Sequence, residues 1–137
     1  MPSKPTRRGK TWHLHIRKVR KKWVVDTPGD KIYRGRDAIE WTLDPLKGKP
    51  KAVSAYFQFT QKDLFEGYAN RRDLTRDLTA VIRRPGGKLK LKVKKNACRR
   101  KNPRYYAVWI RDATHKNGGQ FAVGAAGNPP PEMEVGP

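Results

Sequence analysis

The chain has 137 residues, with 32 Lys and Arg against 12 Asp and Glu, a net charge of +20 at pH 7. Ordinary soluble domains carry a net charge of about 2–8, so the excess points to a polyanionic partner, nucleic acid first. No apolar run approaches the ~20 residues that a membrane-spanning helix needs, no apolar segment follows the basic N-terminus as in a secretory leader, and the lone Cys98 excludes an intrachain disulfide and fits a reducing cytoplasm.

Residues 1–10 carry Pro, Gly and charge without apolar periodicity and read as a flexible basic arm. Residues 11–137 read as a single domain. Trp12, Leu14 and Ile16 alternate with His13, His15 and Arg17, the pattern of a half-buried strand. Trp23-Val24-Val25 predicts a second strand, residues 27–30 (TPGD) a turn, and Lys31-Ile32-Tyr33 a short extended segment. Ala38 to Leu43 predicts a strand ended by Asp44-Pro45, and Ala52 to Thr60 another. Within 61–80, Leu64, Phe65 and Tyr68 are spaced as on a short helix, whereas Thr75, Thr79 and Val81 favour extended chain. Pro85-Gly86-Gly87 marks a turn, Lys88 to Lys94 a strand, Asn96 to Arg104 a basic loop, and Tyr105 to Ile110 the clearest strand of all. Phe121 to Val123 and Met133 to Val135 supply short closing strands. Short strands separated by turn residues predict a mainly β sandwich or barrel, with one short helix in the middle.

Two stretches concentrate the charge. No acid interrupts Lys4 to Lys22, which holds Arg17, Lys18, Arg20, Lys21 and Lys22, nor Arg83 to Arg104. In the second, Lys88, Lys90, Lys92 and Lys94 alternate with Leu89, Leu91 and Val93, so one strand face is apolar and the other cationic. An antiparallel hairpin of 88–94 with 105–111 would put Tyr105, Ala107, Trp109 and Arg111 outward beside the lysine row. Lys95, Arg99, Arg100, Lys101 and Arg104 would project from its connecting loop. Cations with exposed rings suit single-stranded nucleic acid, whose bases stack while Lys and Arg follow the backbone. The competing reading is that the lysines guard a sheet edge against aggregation and that Trp109 is core. The acid-free runs favour nucleic acid, RNA or single-stranded DNA, with the protein as a non-catalytic accessory subunit of a nucleoprotein complex. The alternative is a structural or assembly subunit, capsid-like or adaptor, with a basic arm.

The segment KIYRGRDAIEW, Lys31 to Trp41, resembles the part of cupredoxin-like β-sandwiches in which a Gly-Asp-type turn enters a strand ending in an aromatic residue. Here the turn is Gly35-Arg36-Asp37, with one residue inserted. Tyr105 to Val108, Phe121 and Asn128 to Glu132 are similar to the closing strands of small bacterial domains of that type. The resemblance implies a Greek-key sandwich, Ig-like or cupredoxin-like. Its copper chemistry does not carry over, because Cys98 is followed by Arg99-Arg100-Lys101-Asn102-Pro103 without a neighbouring His or Met. His13 and His15 share a strand face, with His115 as the remaining imidazole, and no metal or other cofactor is expected. No phosphate-binding glycine loop, nucleophile elbow or paired-cysteine motif is present. Asp73 and Asp77 interleave with Arg72 and Arg76 as a surface pair, and no enzyme is expected.

Overall fold

Period-two alternation leaves each strand with one apolar edge to bury, and the chain meets that demand by laying two sheets face to face. The computed structural model describes residues 9–26, 33–45, 53–60, 64–66, 74–94, 103–113, 116–124 and 132–136, with the backbone alone at 33–34, 103–105 and 132–136. The strands are β1 (Thr11–Val19), β2 (Lys22–Val25), β3 (Tyr33–Arg34), β4 (Ala38–Leu43), β5 (Val53–Phe59) and β6 (Thr79–Ile82). They continue with β7 (Lys88–Lys92), β8 (Pro103–Asp112), β9 (Gly119–Phe121), β10 (Val123–Gly124) and β11 (Glu132–Gly136).

One sheet has the order β10-β2-β1-β4-β7 and the other β3-β11-β8-β5-β6, with β9 also pairing along β8. β1 and β2 form a tight hairpin whose turn, Arg20-Lys21, holds Arg20 at a left-handed φ of 59°. β1 then runs parallel to β4, Thr11 opposite Ala38 through Ile16 opposite Leu43. After β4 the chain crosses to the second sheet, makes the β5–β6 hairpin, and returns as β7 antiparallel to β4.

The inner faces follow the alternation. Leu14, Ile16, Ile39, Trp41, Leu43, Leu89 and Leu91 meet Val53, Ala55, Phe57, Phe59, Tyr106, Val108 and Ile110. Each such side chain contributes roughly 1.5–3 kcal/mol on burial. Trp41 of β4 is the centre, with Phe57, Phe59, Phe65 and Tyr106 at centroid separations of 5.4, 5.7, 6.3 and 5.7 Å. Its Nε1 donates to the Tyr106 hydroxyl at 3.2 Å. Burial pushes the Tyr106 phenol well above its ordinary pKa, so it remains a neutral acceptor.

Two carboxylates lie inside. Asp37 accepts from the Lys10 backbone N–H and from Trp12 Nε1, both at 2.9 Å. Asp112 accepts from Trp23 Nε1 at 3.2 Å and from the Lys18 ammonium at 3.3 Å. Of the expected arm, residues 1–8 lie outside the described residues, and Lys10 is held at the start of β1, its carbonyl also accepting from the Ala38 N–H. A Cβ at Gly9 would collide with the Arg36 carbonyl oxygen, which is why glycine stands where the chain enters β1.

The expected helix is corrected: among the described residues there is none. Phe65 forms a β-bridge with Val93, the Glu66 N–H donates to the Lys92 carbonyl, and the Lys94 N–H donates to the Leu64 carbonyl. Leu64 and Phe65 are therefore an extended strap on the edge of β7. Their adjacent apolar side chains mimicked a helical face. The β-branched residues prevail further on, with Thr79 and Val81 in β6.

Replacing Asp112 by alanine leaves the Trp23 N–H and the Lys18 ammonium without their shared acceptor. Urea denaturation should show a loss of about 2–3 kcal/mol, below the range for a fully buried pair because Lys18 keeps contact with water. Lys18→Met together with Asp112→Leu should recover part of that loss.

Candidate nucleic-acid interface

The pairing of β7 separates what the sequence reading joined. β7 belongs with β4 and β8 with β5, so no β7–β8 hairpin forms. The lysine row lies on the outer face of the first sheet, and Trp109 on the outer face of the second. Sequence adjacency suggested the hairpin, but in a two-sheet fold consecutive strands frequently cross between layers.

On the first sheet, Lys88, Lys90 and Lys92 are exposed and stand beside Glu40 and Thr42 of β4, with His13, His15 and Arg17 of β1 beyond. This face is mixed in sign. Glu40 lies 3.2 Å from His13 Nδ1 and 3.8 Å from the Lys88 ammonium. Asp44 lies 3.0 Å from His15 Nδ1, Asp26 lies 3.0 Å from Arg17 Nε, and Glu66 lies 3.9 Å from the Lys92 ammonium. Among the described residues, Lys90 and Lys94 have no carboxylate partner. Lys18 is exposed near the end of β1, and its ammonium also reaches the buried Asp112 at 3.3 Å. It stands on the same side of β1 as Leu14 and Ile16, a position in the period that signals its reach toward that acid. Arg20, Lys21 and Lys22 are exposed at the β1–β2 turn.

The outer face of the second sheet carries a row that spans four strands. Register sets Val81 of β6 opposite Tyr56 of β5, Tyr56 opposite Trp109 of β8, and Trp109 opposite Phe121 of β9. Trp109 and Phe121 meet edge to face with centroids 4.9 Å apart. Phe121 is 58% exposed and Tyr56 43%. A Cβ at Gly119 would strike both the Ile110 carbonyl and the Trp109 ring, so the indole needs glycine there to lie over β9. The row lines a shallow groove of about 700 Å³ that Arg83 also borders. In the next row, Ser54 stands opposite Arg111. Hydrogen bonds from the Ser54 hydroxyl and the Arg111 guanidinium, with further help from the charge of Arg83, hold the Tyr56 phenol below its ordinary pKa.

Of the residues expected to bind, Trp109 faces outward with Ala107 and Arg111, opposite the buried Tyr106, Val108 and Ile110, so the competing core position is not the one it takes. Arg104 and Tyr105 lie on β8 opposite Met133 and Glu132. Lys95, Arg99, Arg100 and Lys101 lie outside the described residues. Tyr56 and Phe121 were missed, because nothing short of the strand register reveals that they flank Trp109. Among the described residues no three His, Cys, Asp or Glu side chains gather as a metal would require, and no helix is long and apolar enough to cross a membrane.

No protein-family model matches the chain, and no curated protein matches it in sequence. Among solved structures it is similar to a multicopper oxidase of the hyperthermophile Aquifex aeolicus and to that enzyme's 2F4 variant. Each is 13% identical with a TM-score of 0.41, and the match covers 94% of this chain and 30% of theirs.

Two outcomes follow from this geometry. Trp109→Ala should lower stability by about 1–2 kcal/mol, since it removes a surface pair; Trp41→Ala should remove about 3–5 kcal/mol. Absorbance of the phenolate should show Tyr56 titrating below the ordinary 10.0 of tyrosine, and Ser54→Ala or Arg111→Ala should move it upward.

Proposed function

We propose that this protein binds single-stranded nucleic acid, RNA or single-stranded DNA, on the outer face of the second sheet, as a non-catalytic accessory subunit of a nucleoprotein complex. The observation that supports this reading is the row Val81–Tyr56–Trp109–Phe121 with Arg83 and Arg111 beside it. Neighbouring strands are about 4.8 Å apart, so the three rings follow one another across the face and each offers a surface to a base. Stacking of a base on an aromatic ring is worth about 1–3 kcal/mol and tolerates any sequence. The two guanidiniums supply donors for phosphate oxygens. The net charge of +20 draws a polyanion to the molecule from a distance. A duplex keeps its base faces stacked inside, so it cannot use the rings in this way.

Fluorescence anisotropy with a labelled oligouridylate or oligothymidylate, over a salt series, tests the reading. The slope of log K against log salt should be about −0.7 for each phosphate contacted. Arg83→Gln with Arg111→Gln should flatten it by about 1.4, two contacts' worth. Trp109→Ala should weaken binding by about 1–3 kcal/mol with the slope unchanged. Equal affinity for a duplex of the same length, or full binding by Trp109→Ala and Phe121→Ala, would refute stacking on this face. A defined large particle in light scattering, formed without nucleic acid, would favour the assembly reading instead.

A further inference from the structure

Past Phe121 the chain passes from the second sheet to the first. β9 ends at Phe121, and β10 begins at Val123 beside β2. Ala122 between them is buried and its N–H donates to the Val108 carbonyl, which leaves Phe121 and Val123 on the outward side of the chain. Register sets Val123 beside Val24, and Val19 opposite Lys22. These four side chains border a hollow of about 680 Å³, with Arg20 and Lys21 of the β1–β2 turn. Val19 is 44% exposed. Gln120 Nε2 donates to the Lys21 carbonyl at 3.0 Å and so fastens the turn to β9.

We propose that this hollow is a further subsite for the same single strand, where the nucleotide beyond Phe121 sets its base against the valines and its phosphate among the turn cations, an assignment that rests on the stacking of the strand on the aromatic row. Valines beside cations match the two parts of a nucleotide. The base face sheds water against an apolar surface, and Lys and Arg follow the backbone. The cations of the turn are available for that task. Among the described residues no carboxylate pairs with Arg20, Lys21 or Lys22, whereas Arg17 and Lys18 just before them are engaged by Asp26 and Asp112.

The dimensions of the aromatic row call for such a continuation. From Val81 to Phe121 it spans three strand spacings, about 14 Å, so the rings alone hold only a few nucleotides. A longer strand must leave the row, and Phe121, the most exposed of its measured rings at 58%, stands where the chain leads on to Val123. The turn is held in place from two sides, by the pairing of Val19 with Lys22 and by Gln120. Its backbone therefore presents the three cations from a fixed position beside the end of the row.

The test compares a labelled oligouridylate trinucleotide with a decanucleotide on the full chain, by fluorescence anisotropy over a salt series. One variant combines Arg20→Gly, Lys21→Gln and Lys22→Gln. Arg20 has a left-handed φ of 59°, which glycine adopts freely, so the turn is retained. For the decanucleotide this variant should flatten the slope of log K against log salt by about 2, three contacts at about 0.7 each. The trinucleotide should keep the parent's slope. Val19→Ser, at an exposed position, should weaken the decanucleotide with its slope unchanged. Amide shifts of Val24 and Val123 in nuclear magnetic resonance should respond to the decanucleotide and not to the trinucleotide. Trp109→Ala should weaken both oligomers. If it does so while the turn variant binds the decanucleotide with the parent's slope, the subsite is overturned and the aromatic row stands. An equal loss of slope for both lengths also overturns it, since the turn then acts only as a distant charge. If Trp109→Ala weakens neither oligomer, the stacking reading itself fails, and the subsite with it.

Discussion

Trp41 and Tyr106 face each other across the sandwich, one from each sheet, and that contact fixes how the two layers meet. The indole N–H and the phenol are both buried, so each depends on the other for its hydrogen bond. An unpaired buried donor or acceptor costs about 1–3 kcal/mol, and a slip of one residue along β4 or β8 would leave both unpaired and turn each strand's apolar face outward. Phe57, Phe59 and Phe65 close around the pair. The aromatic cluster matters more here than in a neutral protein. A net charge of +20 opposes compaction at every pH where the lysines are protonated, so the attraction between sheets has to come from apolar contact inside.

The scarcity of acids gives their placement unusual weight. Of the 12 available, Asp37 and Asp112 lie inside and tie the termini of strands together through Trp12, Trp23 and Lys18. Glu40, Asp44, Asp26 and Glu66 moderate the outer face of the first sheet. What remains without a carboxylate among the described residues is therefore local: Lys90 and Lys94 on the first sheet, the cations of the β1–β2 turn, and the arginines that border the aromatic row. An ion pair at the surface is worth little in stability, so the effect of this arrangement is chiefly on where an anion is attracted.

The strands were legible because their chemistry is local. The alternation at Trp12 to Ile16, Ala38 to Leu43 and Tyr105 to Ile110 reports which residues share a face, but it left open whether Trp109 lay outward or in the core. The same alternation sets Lys18 on the side of Leu14 and Ile16, from which its ammonium reaches Asp112 while the residue stays exposed. Pairing partners were not legible. Whether Lys88 to Lys92 joins the next strand or an earlier one depends on the summed packing of two layers, which no short window of sequence contains. The strap at Leu64 and Phe65 was lost for a related reason. Two adjacent apolar residues can face a core from an extended edge or from a helix, and only the waiting edge of β7 decides between them. The aromatic row combines both problems, since its members come from four strands and become neighbours through register alone.

The two sheets are about 10 Å apart, comparable with the ~8 Å Debye length at physiological ionic strength. Cations on one outer face are thus too distant, and too screened, to act directly on a phosphate at the other. The rim between β6 and β7 offers a shorter path. These strands are the edges of their respective sheets on the same side of the sandwich, and residues 83–87 join them. Arg83, which continues the outward positions of Thr79 and Val81, Arg84 and Lys88 are exposed along that rim. A strand stacked on the aromatic row as proposed, with its end directed toward β6, would meet cations continuously as it left the sheet. A strand directed toward β9 would also reach cations, because Gln120 donates to the Lys21 carbonyl and Val123 borders Arg20, Lys21 and Lys22. Cations thus flank the aromatic row at both ends, and a strand stacked on it could keep its phosphates near positive charge either over the β6–β7 rim, where the row of lysines on β7 begins, or past the β1–β2 turn.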